Sequence, residues 1–222
     1  MTFSILAQDS GTGAIGGAAA TGSLCVGGWV LRGRLGAGMS ASQGAAPSTF
    51  WGEDVLDAMR VGFDAAQAVA RVTGADGGSA WRQLSALGTD GQGAAFTGTS
   101  NTPQMGSRVF PGGVAAGNML DNLGVVDALA ETMMAATGSF ATRLLASLRA
   151  AEAAGSDSRG LLSAALLILH PDFPPLTLRI DHHPDDPIGA LEALHERATT
   201  GDYGDWTRQV PVASDPTRIL DR

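Results

Sequence analysis

The densest set of chemically capable groups lies near the end of the chain, where Asp181, His182 and His183 are consecutive and Asp185 and Asp186 follow. Carboxylates beside imidazoles bind divalent cations, so a metal-dependent hydrolase at Asp181, His182 and His183 is one reading. The remaining histidines add little to it. His170 falls at an analogous strand end and His195 on an expected helix. A polar turn between a strand and a helix explains the cluster without metal, and we expect neither a metal nor another cofactor.

A second candidate is Gly11-Thr12-Gly13-Ala14-Ile15-Gly16, which has the spacing of a dinucleotide-binding turn after a strand. No helical pattern follows, and the next acidic residue is Glu53, far beyond the position of a ribose-binding carboxylate. A glycine-rich hairpin turn is the simpler account. The lone thiol, Cys25, has no base that the sequence can place beside it and reads as a small buried residue. A Gly-x-Ser-x-Gly elbow is absent. Met59, Met133 and Met134 read as helix core, and Arg143 and Arg149 as the solvated face of a helix.

Charge narrows the partners. A net charge of −8 and a pI near 4.8 oppose binding to a polyphosphate backbone, and there is no basic stripe interleaved with aromatics. We therefore expect no nucleic-acid partner. All 14 basic residues are arginine, which removes a lysine Schiff base, a lysine base and a Walker-type lysine. A single cysteine allows no internal disulfide. The start of the chain lacks a basic, then apolar, leader, and the most apolar later run, residues 161–169, is about half of a bilayer span. A soluble, cytoplasmic protein with no membrane contact is expected, acting on a small-molecule substrate or ligand. Four tryptophans and seven methionines in a modest chain suggest a homodimer.

The elements that must position these groups follow from hydrophobic periodicity. Residues 3–8 and 14–20 read as antiparallel strands in the middle of a sheet, being too apolar and small-chained for a solvated edge. Residues 25–31 and 35–43 read as a second strand pair, 52–72 as a helix, and 83–88 with 93–98 as a hairpin around an Asp-Gly turn. A strand over 114–119 precedes helices over 125–136 and 140–153. Strands over 161–170 and 176–181 flank a turn at 171–175, and a helix covers 188–198. A length of 222 residues with no composition break near the middle supports one domain over residues 1–222, with 199–222 irregular. This order is α+β. Two antiparallel sheets face to face, with helices outside, would bury the Gly/Ala-rich strands on both faces, giving a four-layer αββα sandwich.

Several short segments, in order, resemble one family. They are Thr2-Phe3-Ser4-Ile5-Leu6-Ala7, Gln43, Phe96-Thr97-Gly98, Thr102-Pro103, Gly117-Asn118-Met119-Leu120, Arg159-Gly160, Ser163-Ala164-Ala165-Leu166, and Leu178-Arg179 leading to Asp181, His183 and Pro184. Together they resemble the family catalogued as domain of unknown function 1028, over Thr2 through Leu191. The resemblance implies a fold like that of the N-terminal-nucleophile hydrolases, in agreement with the layered order above.

That implication carries a chemistry. Such a hydrolase attacks an amide carbonyl with the side chain of its first residue while the free α-amine takes the proton. Loss of Met1 before the small Thr2 would place hydroxyl and amine on one residue, and an α-amine with a pKa of about 7.7–8.0 is close to a neutral-pH base. Thr2, Asn118 and Gln43 are then the expected catalytic residues, with Asn101 a further oxyanion donor. Arg159, Asn101 and Ser163 are the expected substrate-binding residues, Arg159 being suited to a carboxylate. A non-catalytic ligand-binding protein of the same fold is the alternative.

Overall fold

The structure, a computed structural model, describes residues 2–156 and 160–220. The chain opens with β1 (Thr2–Gln8) and β2 (Ile15–Thr21), then a short helix α1 (Val26–Trp29), β3 (Leu31–Arg34) and β4 (Gly38–Gly44). Helices α2 (Thr49–Arg60) and α3 (Ala65–Gly74) lead to β5 (Arg82–Gly88), β6 (Gly93–Thr97), β7 (Gln104–Phe110) and β8 (Gly113–Leu120). Helices α4 (Gly124–Ala135) and α5 (Phe140–Ala153) precede β9 (Ser163–His170), β10 (Phe173–Ile180), α6 (Pro187–Thr199) and α7 (Gly201–Thr207).

The strands form two sheets, six-stranded β10-β9-β2-β1-β8-β7 and four-stranded β3-β4-β5-β6, with every pairing antiparallel. The expected central hairpin is present: β1 pairs with β2 in the register Thr2↔Thr21 through Gln8↔Ile15. Strand alternation divides the core into three apolar layers. Phe3, Ile5 and Ala7 of β1 pack against Leu129, Leu144 and Leu148 of α4 and α5. The opposite face of β1 sends Leu6 toward Met39, Ala41 and Leu87 of the smaller sheet. That sheet in turn packs Leu84 and Ala86 against Val55, Leu56, Ala68 and Val69 of α2 and α3. Each fully buried leucine contributes about 1.5–3 kcal/mol relative to exposure.

Small residues in β2 permit this close stacking. A Cβ at Gly16 would lie 2.8 Å from the Leu167 carbonyl oxygen and 3.0 Å from the Phe140 ring, so glycine lets β9 and α5 approach.

Several expectations are corrected. Residues 25–31 are not a strand: Cys25 has φ of +61°, the chain turns into α1, and pairing resumes only at Leu31. A Cβ at Gly27 would lie 2.7 Å from Arg179 Cγ and 2.8 Å from Ala165 Cβ, so the apolar, glycine-rich run is a tight turn laid on β9 and β10. The helix over 52–72 is two helices, separated at Gly62 with φ of +103° and restarted by a capping box between Asp64 and Gln67. Strand β7 has no counterpart among the expected elements, because its exposed, polar residues suit a sheet edge. The turn at 171–175 is shorter, since Pro174 and Pro175 lie within edge strand β10, where a missing N–H is tolerated. Residues 201–207, expected to be irregular, form α7.

Arg143 and Arg149 are connectors rather than a free solvated face. Arg143 pairs with Asp9 across the β1–β2 turn. Arg149 meets Glu152 and Asp186 at 2.9 Å and Glu192 at 2.8 Å, tying α5 to the capped start of α6. Met59 and Met133 are buried as expected, whereas Met134 is exposed. No helix among the described residues is long and apolar enough to cross a membrane.

Candidate active site

Thr2 is the first residue of β1, an interior strand, and its neighbours across the sheet are Thr21 on β2 and Asn118 on β8. Because side chains alternate, Thr2, Ser4 and Leu6 share the face turned toward the smaller sheet. Leu6 enters the apolar layer there, while Thr2 and Ser4 enter a polar one. The Thr2 hydroxyl donates to Thr21 Oγ1 at 3.1 Å. The Ser4 hydroxyl donates to Gln43 Oε1 at 2.8 Å. Gln43 Nε2 donates to the Thr2 carbonyl at 3.3 Å and to Gln83 Oε1 at 2.7 Å.

A cavity of about 570 Å³ opens over this end of β1. Thr2, Thr21, Ser23 and Gln43 give it polar groups, and Val26, Val30, Pro47 and Met119 are among its apolar lining. Leu24 and Trp29, each about half exposed, stand at its rim. Among the described lining residues none is ionisable.

The structure brings Thr2 and Gln43 into this cavity and places Asn118, Asn101 and Ser163 behind its lining. Asn118 is fully buried, donates from Nδ2 to Gln83 Oε1 at 3.2 Å, and does not line the cavity; its buried Oδ1 has no hydrogen-bond partner among the described residues. Gln43 has both amide hydrogens committed, so it holds the Thr2 main chain instead of offering a donor to an oxyanion. Asn101 accepts the Ala45 N–H at 2.8 Å and donates to the Gly98 and Arg82 carbonyls at 2.9 and 3.0 Å, which fixes the Gly44–Ala45 wall. Ser163 accepts the Val26 N–H and donates to the Ser23 carbonyl, which fixes the opposite wall. Asn101 and Ser163 therefore shape the cavity from outside it. Arg159 lies outside the described residues.

The other candidates have structural roles. Asp9, in the glycine-rich turn, accepts from the N–H and hydroxyl of Thr12, making an ordinary side-chain-stabilised hairpin loop. Its carboxyl is held below its usual value by the Thr12 hydroxyl and by Arg143, against the opposing effect of burial. His183 Nδ1 accepts the Asp186 N–H at 3.0 Å, and Asp181 pairs with Arg179 at 2.9 Å. Among the described residues, no three carboxylate, imidazole or thiol groups converge as a metal site. Cys25 is half-buried at the start of α1 and not in the core.

Gln83, Thr21 and Ser23 were missed as candidates. A glutamine and isolated hydroxyls form no motif; the available signal was a polar residue on the inward face of a strand, as in Gln83-Leu84-Ser85.

Residues 2–191 match the sequence pattern described as a family of unknown function, DUF1028. Among solved structures, the chain is similar to a crystal structure of protein SPO2555 from Silicibacter pomeroyi, also assigned to DUF1028, with 63% identity and a TM-score of 0.97. The match covers 100% of this chain and 96% of that one. No curated protein matches. With its sequence pattern and its fold both accounted for along nearly the whole length, the chain belongs to the DUF1028 family.

Proposed function

We propose that this protein is an amide-bond hydrolase of the N-terminal-nucleophile type, built as a four-layer αββα sandwich and acting on a small amide through Thr2 after removal of Met1. The observation that carries the reading is that Thr2 both opens an interior strand and lines the 570 Å³ cavity, with its carbonyl held by Gln43. The three apolar layers, with helices on the outer faces of both sheets, support the sandwich.

In this mechanism the Thr2 hydroxyl oxygen attacks the amide carbonyl carbon, and its proton passes to the α-amine of the same residue, directly or through water. Collapse of the tetrahedral intermediate breaks the carbon–nitrogen bond, and the α-ammonium returns the proton to the departing amine. Water then attacks the ester on Thr2, releasing the acid and restoring the hydroxyl. Thr21 orients the hydroxyl, Gln43 orients the main chain, and Asn101 and Ser163 keep the walls in place. A small amide, uncharged where it meets Val26, Val30 and Met119, suits the lining.

Amine release from a panel of small neutral and acidic amides tests the reading. We expect turnover of at least one neutral amide; ligand-induced thermal stabilisation without any turnover would instead support the ligand-binding alternative.

A further inference from the structure

Gln83 is fully buried on β5 and meets groups from both sheets. Its Nε2 lies 3.0 Å from the carbonyl oxygens of Gly106 and Gly117 and 2.8 Å from the Thr97 hydroxyl. Main-chain carbonyls only accept, so this end of the side chain must be the nitrogen. Oε1 is thereby turned the other way, where it accepts from Gln43 Nε2 at 2.7 Å and Asn118 Nδ2 at 3.2 Å. With Gln43 Nε2 drawn to Gln83, Gln43 Oε1 faces the Ser4 hydroxyl at 2.8 Å. The other Gln43 amide hydrogen is left for the Thr2 carbonyl at 3.3 Å. Two carbonyls on β7 and β8 thus set the polarity of a buried amide chain that ends on Thr2.

We propose that Gln83 is a positioning residue for Thr2, acting through Gln43; this rests on the reading of Thr2 as the nucleophile. A buried, fully committed amide pair has one low-energy orientation, because reversing either amide opposes donor to donor or acceptor to acceptor. The chain therefore holds the Thr2 main chain, from which both the hydroxyl and the α-amine project. A nucleophile displaced by about 1 Å can lose about 100-fold in rate, so the function of such a chain would show in kcat.

The test compares folded wild-type protein with Gln83→Met, Gln43→Met, the double variant and Gln83→Glu, using the best amide from the panel. We expect Gln83→Met to lower kcat by about 10–100-fold with KM changed by less than about twofold. The double variant should lose no more than Gln43→Met alone, since both act along one chain. In Gln83→Glu the introduced carboxyl group, once protonated, can donate and accept much as the amide does, so the kcat ratio of this variant to wild type should rise as pH falls. Wild-type kcat in folded Gln83→Met, or additive losses in the double variant, overturns the proposal. Should the Gln83 variants fail to fold, wild type acylated on Thr2 by a β-lactone decides by NMR. The Gln83 side-chain amide signals should move while those of Asn101 stay, and unmoved Gln83 signals overturn it. Turnover that needs Thr2 but not Gln83 removes this proposal alone, whereas amide turnover that persists in Thr2→Ala removes the nucleophile reading and this proposal with it.

Discussion

Ser163 Oγ accepts the Val26 N–H at 3.1 Å and donates to the Ser23 carbonyl at 2.8 Å, so the first residue of β9 fastens a loop 137 positions earlier in the chain. Ser23 and Val26 line the cavity, while Ser163 itself does not. Ser163→Ala leaves the buried Val26 N–H unpaired at a cost of about 1–3 kcal/mol. We expect a lower Tm together with a higher KM for the amide, measured by thermal unfolding and steady-state kinetics.

Gly16→Ala tests the closeness of the layers. Its new Cβ would meet the Leu167 main chain, which cannot swing aside as a side-chain tip can. A loss of about 1–3 kcal/mol in denaturant unfolding is expected, with little change in KM because the position is remote from the cavity lining.

Much of the architecture was legible because apolar residues repeat with the period of their element. The β1–β2 hairpin, α4 and α5 all stand close to the expected residues. The pattern failed where another constraint set the backbone. Val26, Trp29 and Val30 made residues 25–31 look like a strand, whereas Gly27 and Gly28 let the chain turn tightly against Arg179, and the polar edge strand β7 had no buried face to announce it. At the site, Thr2 and Gln43 were legible through family resemblance. Gln83 was not, since its significance lies in partners brought from β4, β6, β7 and β8.

Asp9 supplies a pH test of the β1–β2 turn. Its folded pKa is lowered, first by the Thr12 hydroxyl and then by Arg143, so its stabilising effect is present above the unfolded pKa of about 3.9. That effect is lost as pH falls through the lower folded value. The unfolding free-energy advantage of wild type over Asp9→Asn should therefore be full at about pH 6 and shrink below about pH 4.

The cavity lining predicts selectivity. With no ionisable side chain among its described residues, the cavity offers a buried carboxylate only the Thr2 α-amine, which has to be uncharged to act as the base. A neutral acyl amide should exceed its carboxylate-bearing analogue in kcat/KM by about tenfold or more. A preference for the acidic analogue that disappears in Arg159→Gln would show instead that Arg159 supplies the counter-ion.

The most direct measurement is amide turnover by purified Thr2→Ala beside wild type, with intact mass recorded for both. Wild type should lack Met1, and peptide mapping during turnover should find the acyl group on Thr2. Thr2→Ala, processed and folded alike, should lose activity by on the order of a thousandfold or more, while Thr2→Ser retains part of it. Undiminished turnover in Thr2→Ala, or in wild-type protein that keeps Met1 quantitatively, would contradict the assignment of Thr2 as the nucleophile.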